Sequence, residues 1–280
     1  MAASATLSLS TGVFRQDGLL AGLEWCRRLG LRAVELFPAH ARQFQGSEEF
    51  RRQVRAKAAE CGIRLASIHP KDDLDILPEV CPLAAECRIG MVVVHCKPKR
   101  LKEDFAGTVE QARWWARWCA DHGVILAVEN ASRVELGAFV RLFQAVPELC
   151  CTLDIKHAYK PKRFGWTHED FLQALYDRIR NFHILARHPD DPLGDATPPG
   201  PVSLIDIPAL AEELARRGYT GLLTIEVPLA DLPDEKLPEA YEPFLPPPGP
   251  DETTLGRRIS RHAVDYYRKQ LAAVLEGPAS

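Results

Sequence analysis

No run of apolar side chains in the 280 residues approaches the ~20 that a helix needs to cross a bilayer. The opening stretch, MAASATLSLSTGVF, has no basic segment leading into an apolar one, so nothing there reads as a secretory leader. Both absences lead to the expectation of a cytoplasmic protein. A GxGxxG turn after the first apolar run is missing, as is any Walker-type phosphate loop, which argues against the open-sheet nucleotide folds. There is no CxxC pair and no Cys/His spacing of a structural zinc site. The cysteines Cys26, Cys61, Cys119 and Cys151 fall inside apolar helix or strand patterns, so buried, reduced thiols are expected in place of disulfides. Charge of one sign is lacking too. With 35 basic against 38 acidic residues the formal net charge is -3, which offers nucleic acid or an anionic membrane no general attraction. No internal repeat appears beyond the alternation described next.

Eight short apolar runs recur along the chain: ATLSLS near residue 7, RAVELF from Arg32, RLASIH from Arg64, MVVVHC from Met91, VILAVEN from Val124, CCTLDIKH from Cys150, NFHILAR from Asn181 and LLTIEV from Leu222. Their β-branched and large apolar residues suit strands buried on both faces. Between them lie amphipathic segments such as LLAGLEWCRRLG, FRRQVRAKAAECG and IPALAEELARRG, which end in a glycine stop just before the next strand. Eight strand–helix units predict an α/β fold, a closed (β/α)8 TIM barrel spanning residues 1–280 as one domain. The one shift in composition is the Pro- and acid-rich segment 228–251. It is expected to be a long loop serving as a lid, a binding loop or an oligomer contact, leading to a last helix around Arg257–Leu275.

In such a barrel the chemistry sits at the carboxyl ends of the strands. Most of the runs finish there in a metal-capable side chain: Glu35, His69, His95, Glu129, Asp154 with His157 three residues on, His183 and Glu226. Alternation across a strand puts Ile125, Ala127 and Glu129 on one face, and Leu222, Thr224 and Glu226 on another. Taken singly, each histidine reads as a satisfied structural residue and each glutamate as half of a salt bridge. Taken together, several acids and imidazoles converging on one mouth would carry a heavy burial cost unless a cation met them. Three carboxylates and one imidazole form a hard, thiolate-free ligand set that favours Mn²⁺, Mg²⁺ or Co²⁺ and also admits Zn²⁺. Such a divalent metal ion polarises a carbonyl and stabilises an enediolate.

The motifs AVEN with Glu129, TLDIKHA with Asp154 and His157, NFHIL with His183 and TIEV with Glu226 resemble the xylose-isomerase-like barrel superfamily, over about Thr6 to Leu275. The resemblance implies a metal held by Glu129, Asp154, His183 and Glu226, as in the ketose 3-epimerases. There the two glutamates, here Glu129 and Glu226, also move the proton. It further implies substrate contacts from His157, from Glu135 six residues after the first ligand, and from an arginine after the strand-seven histidine, for which Arg187 is the match at a different spacing. The activity implied is a metal-dependent isomerase or epimerase of a small sugar, sugar phosphate or polyol derivative, with a dehydratase of an inositol-like ketone within the same chemistry. The type-2 apurinic endonucleases are more distant members of the superfamily, and their three-zinc ligand set would map to His69, His95, Glu129, Asp154, His157, His183 and Glu226. They also require Asp-x-His after strand seven. Here GDATPPG puts Asp195 in the first place but Thr197 where the histidine should be. His69 and His95 are then left either to touch substrate hydroxyls or to serve as hydrogen-bonded rim residues.

Two basic stretches, Lys97, Lys99, Arg100 and Lys102 after strand four and Lys156, Lys160, Lys162 and Arg163 around His157, are either solvated loops or a lure for an anionic substrate. Trp114, Trp115 and Trp118 read as helix packing. The expected partner is a small-molecule sugar or polyol, with no membrane, with nucleic acid disfavoured, and with room for a homodimer.

Overall fold

The computed structural model describes residues 4–70, 73–130, 134–159, 165–190 and 192–277, with the side chain of Asp195 outside that description. Eight strands form: β1 Thr6–Ser10, β2 Ala33–Leu36, β3 Arg64–Ile68, β4 Met91–His95, β5 Ile125–Glu129, β6 Cys150–Asp154, β7 Ile179–Ile184 and β8 Leu222–Ile225. They close into a ring in sequence order, and the registered pairs (β1 with β8, and each neighbouring pair from β3 to β7) are parallel. This is the (β/α)8 TIM barrel that the alternating runs predict. Val92, Val93 and Val94 of β4 are all buried, as expected of a strand covered on both faces.

The helices are α1 Leu19–Arg28, α2 Pro38–Gly46, α3 Glu48–Cys61, α4 Leu77–Cys87, α5 Pro98–Glu103, α6 Phe105–Asp121 and α7 Leu136–Ala145, followed by α8 Ile155–Ala158, α9 His168–Leu175 and α10 Ile207–Arg216. Beyond β8 come α11 Leu237–Tyr241, α12 Leu255–Gln270 and α13 Ala272–Leu275. The glycine stops work as the sequence suggests. After α6, Gly123 takes φ 70° and the Val124 amide donates to the Cys119 carbonyl at 2.8 Å, turning the chain straight into β5. Starts are marked by side chains: Asp206 accepts the Ala209 amide before α10, and Thr167 and Asp170 form a reciprocal capping box before α9.

The chain gathers into two compact units, one of Met1–Val34, Ala56–Arg64 and Ile184–Ser280, the other of Glu35–Arg55 and Leu65–His183. The first holds the β1–β8 pair and the C-terminal helices. There the Pro-rich segment departs from the expected plain loop, because it contains α11 between two turns of 3-10 helix. Leu237 and Tyr241, four residues apart on one face, are both fully buried, and this burial gives the segment a helix. The Tyr241 hydroxyl accepts the Ala230 amide at 2.8 Å, while Arg15 ties the segment down through the Ala230 carbonyl at 3.1 Å and the Asp234 carboxylate at 2.8 Å. The last helix also differs from its predicted bounds, starting at Leu255, capped by Thr254, and breaking at Leu271. The second unit holds the end of β2, most of β3 and β7, and the whole of β4, β5 and β6.

All eight cysteines are free, seven of them buried and Cys150 half-buried, in line with reduced core thiols. Among the described residues no helix is long and apolar enough to cross a membrane.

Candidate metal centre

The second unit carries an uncommon load of buried ionisable groups at its strand tips. Strand register brings neighbours together: His95 of β4 lies beside Glu129 of β5, and Asp154 of β6 beside His183 of β7. Alternation aims these side chains, with His69 one residue past β3, to the same side of the sheet. Below them on the same faces stand smaller residues, Ser67, Ala127, Thr152 and Asn181, all fully buried.

Glu129, only 2% exposed, faces three imidazoles. His95 Nε2 hydrogen-bonds its Oε2 at 3.1 Å, His69 Nε2 lies 3.1 Å from the same oxygen, and His183 Nδ1 is 3.6 Å from Oε1. Burial pushes the Glu129 carboxyl towards its neutral form, but His95, His183 and His69 outweigh it and hold the group well below the usual carboxylate range. Glu35 repeats the pattern. Fully buried, it accepts the Ser67 hydroxyl at 2.8 Å and the Asn181 amide at 3.4 Å, and its Oε1 lies 3.2 Å from His183 Nε2 and 3.8 Å from His69 Nδ1. Here too burial opposes ionisation, and the His183 and His69 imidazoles reverse it.

Asp154 is held by its backbone as much as by its carboxylate. Asn130 Oδ1 accepts the Asp154 amide at 2.8 Å, and Asn130 Nδ2 donates to the Asp154 carbonyl at 2.9 Å. One carboxylate oxygen, Oδ1, accepts the His157 amide at 2.6 Å and so caps α8. The His157 ring stays close, with Nε2 3.9 Å from Oδ2.

These residues fit a divalent ion. Glu129, Asp154 and His183 each offer a ligand atom within 4.8 Å of the others, and His69, His95 and Glu129 do the same. Although both nitrogens of His69 stand near carboxylate oxygens, neither points along a hydrogen bond, and Glu35 Oε1 accepts none either. Oxygens and nitrogens crowded together but aimed past one another are what ligands around a common cation look like.

The remaining predicted residues lie as follows. Glu226 follows β8 in the first unit, half-buried, its amide donating to the Ile184 carbonyl at 3.4 Å. Glu135 is exposed just before α7 and outside the clusters just described. Arg187 is half-buried in the first unit, where its carbonyl accepts the Leu204 amide at 2.8 Å. Thr197 is buried with its hydroxyl on the Gly194 carbonyl at 3.2 Å, so it closes its own turn. The basic stretch after β4 is largely answered by acids: Arg100 pairs with Asp75 at 2.9 Å, Lys99 with Glu103 at 3.7 Å and Lys97 with Asp73 at 3.8 Å. Lys156 is buried, against the reading of a solvated loop, while Lys160, Lys162 and Arg163 lie outside the described residues. Trp115 is buried in α6 as helix packing, whereas Trp114 is 56% exposed. Sequence reasoning passed over Asn130, Ser67 and Asn181. The signal for the last two was the period of two, since they sit two residues before His69 and His183.

Fold and strand-tip cluster together define a (β/α)8 barrel with a carboxylate–imidazole centre. The model of the xylose isomerase-like TIM barrel family matches residues 23–246, and the chain belongs to that family. No curated protein matches it by sequence. Among solved structures it is similar to D-allulose 3-epimerase from a Methylomonas species, at 15% identity and TM-score 0.66 over 97% of this chain and 100% of that one. The 3-keto-D-glucoside 4-epimerase of E. coli aligns at 16% identity and TM-score 0.64 over 85% and 97% of the two chains. A probable 3-DHS dehydratase of Bacillus anthracis aligns at 16% and 0.64 over 79% and 92%. Identities this low speak to the fold alone.

Proposed function

We propose that this protein is a divalent-metal-dependent isomerase or epimerase of a small sugar, sugar phosphate or polyol derivative. The observation that carries the reading is the buried trio Glu129, Asp154 and His183, whose ligand atoms lie within 4.8 Å of one another. Glu226, at the tip of β8, is the fourth ligand in this reading, on the strength of the strand-order resemblance. The mixed oxygen and nitrogen set suits Mn²⁺, Mg²⁺ or Co²⁺, with Zn²⁺ also admitted. When bound, the ion supplies Lewis-acid stabilisation of negative charge developing on two neighbouring substrate oxygens.

The chain's own residues do the rest. Glu129 is the base that takes the proton from the carbon beside the substrate carbonyl, and Glu226 is the acid–base partner. Asn130 keeps Asp154 in place through two backbone hydrogen bonds, and the Asp154 carboxylate in turn orders the turn that presents His157. His157, His69, His95, Glu135 and Arg187 are the proposed substrate contacts. A dehydratase acting on a cyclic ketone draws on the same proton abstraction, and one structural neighbour is named as a probable dehydratase.

A second reading, a metal phosphodiesterase, is favoured by one observation, the neighbouring His69–His95–Glu129 cluster that could seat another ion. Against it stands Thr197, whose neutral hydroxyl is a poor replacement for an imidazole and is engaged in its own turn. Elemental analysis of the purified protein separates the readings. One tightly held ion per chain, with proton exchange from D₂O into one of a panel of ketoses and sugar phosphates, is the expected result. Three ions per chain, together with nicking of an abasic-site duplex that disappears in Asp154→Ala, would overturn it.

A further inference from the structure

Glu35 has no part in the ligand set just proposed, although it is fully buried and offers a ligand atom close to those of His69 and His183. It ends the apolar run of β2, and three polar groups converge on it: the Ser67 hydroxyl at 2.8 Å, the Asn181 amide at 3.4 Å and His183 Nε2 at 3.2 Å from one oxygen and 3.3 Å from the other. An ionised carboxylate only accepts hydrogen bonds, so the ring must offer it an Nε2–H whatever its own charge. In the neutral ring that a metal requires, the proton then sits on Nε2 and the lone pair on Nδ1. That nitrogen is the one facing Glu129, 3.6 Å from its Oε1. A neutral imidazole free to choose would populate both tautomers, and one of them would turn an N–H towards the ion.

We propose that Glu35 is a positioning residue that fixes the Nε2–H tautomer and the ring orientation of His183, and thereby sets the affinity of the centre for its metal. The claim rests on the metal reading above and adds a residue to it. Ser67 and Asn181 complete the device. Each donates to Glu35 Oε2, and together they hold the carboxylate against the His183 ring. Outer partners of metal-bound histidines act in this way, and losing one typically weakens metal binding by about 10–100-fold.

The test uses the full chain, stripped with a chelator and titrated with Co²⁺ alone, alongside tautomer assignment by NMR of the metal-free, ¹⁵N-histidine-labelled protein. Wild type should show His183 protonated at Nε2. Glu35→Gln keeps an acceptor without the charge, and Glu35→Leu removes both. Both should bind Co²⁺ more weakly with the number of ions per chain unchanged, the leucine variant by the full ~10–100-fold, and the leucine variant should also lose the pure Nε2–H signature. Ser67→Ala removes a single hydroxyl and should give a smaller loss in the same direction, which decides the matter should the Glu35 variants not fold. Wild-type affinity and an unchanged His183 spectrum in Glu35→Leu would overturn the proposal. So would the loss of one whole ion per chain in Glu35→Gln, since Glu35 would then be a ligand itself. If wild type takes up no Co²⁺ the metal reading fails, while the tautomer measurement, which needs no metal, still decides the role of Glu35.

Discussion

The two compact units of the chain carry opposite chemistry at their strands. In the first, the buried polar groups along β1 and β8 are hydroxyls, Ser8, Ser10 and Thr224, with a half-buried Glu226 following. In the second, the tips of β2 to β7 carry Glu35, His69, Glu129, Asp154 and His183, all buried. A hydroxyl left without a partner, as those of Ser8 and Ser10 are among the described residues, costs about 1–3 kcal/mol, which a packed barrel tolerates. Each buried ion costs several kcal/mol even after relaxation, so the second unit must offset its charges against one another or against a cation. The asymmetry places the buried charge on β2 to β7 and leaves hydroxyls along the first unit's strands.

Three measurements break or sharpen that contrast. The largest effect is expected from Glu129→Gln, which keeps the side-chain volume and removes the carboxylate. The protein should stay folded while kcat on a confirmed sugar substrate falls by about 10²–10⁴-fold, and Glu226→Gln should fall alike. Near-wild-type kcat in Glu226→Gln would confine the chemistry to the second unit and end the two-base mechanism.

An intermediate effect belongs to the first unit and concerns stability alone. Gly256 lies on the face of α12 against Val13, and a Cβ built there would collide with the Val13 carbonyl oxygen and stand 3.0 Å from the Asp17 carboxylate. Because the nearer atom is backbone and cannot swivel aside, Gly256→Ala should cost about 1–3 kcal/mol in urea unfolding. Co²⁺ affinity should hold at the wild-type value. A matching loss of metal binding would show that the scaffold and the centre are not energetically separate.

The smallest effect is a pH slope in the second unit, away from the centre. Burial lowers the pKa of His168 from its ordinary 6.5, and among the described residues none hydrogen-bonds its Nδ1. The sign follows from linkage. As pH falls through 6.5 the unfolded chain takes up a proton that the folded chain refuses, so stability is full above that pH and declines below it. His168→Gln should flatten this part of the curve when urea midpoints are compared above and below pH 6.5. An unaltered slope would assign the acid sensitivity to other groups.

The amino-acid sequence by itself determined the barrel, because eight β-branched runs alternating with amphipathic segments and glycine stops leave little other choice. It also marked Glu129, Asp154 and His183 as polar ends on apolar strands, each stationed by a period of two, and these the fold brings together. Tertiary structure alone decided the partners. Register between β4 and β5 placed His95 on Glu129, a relation 34 residues apart that no local pattern contains. Glu35 and His183 are 148 residues apart, and only closure of the strands around a common axis could aim one at the other. The short helix within 228–251 escaped as well, since the burial of Leu237 and Tyr241 outweighed the local signal of proline. Periodicity is local and survives in the sequence, whereas the pairing of charges depends on which strands become neighbours, and that is settled only when the core packs.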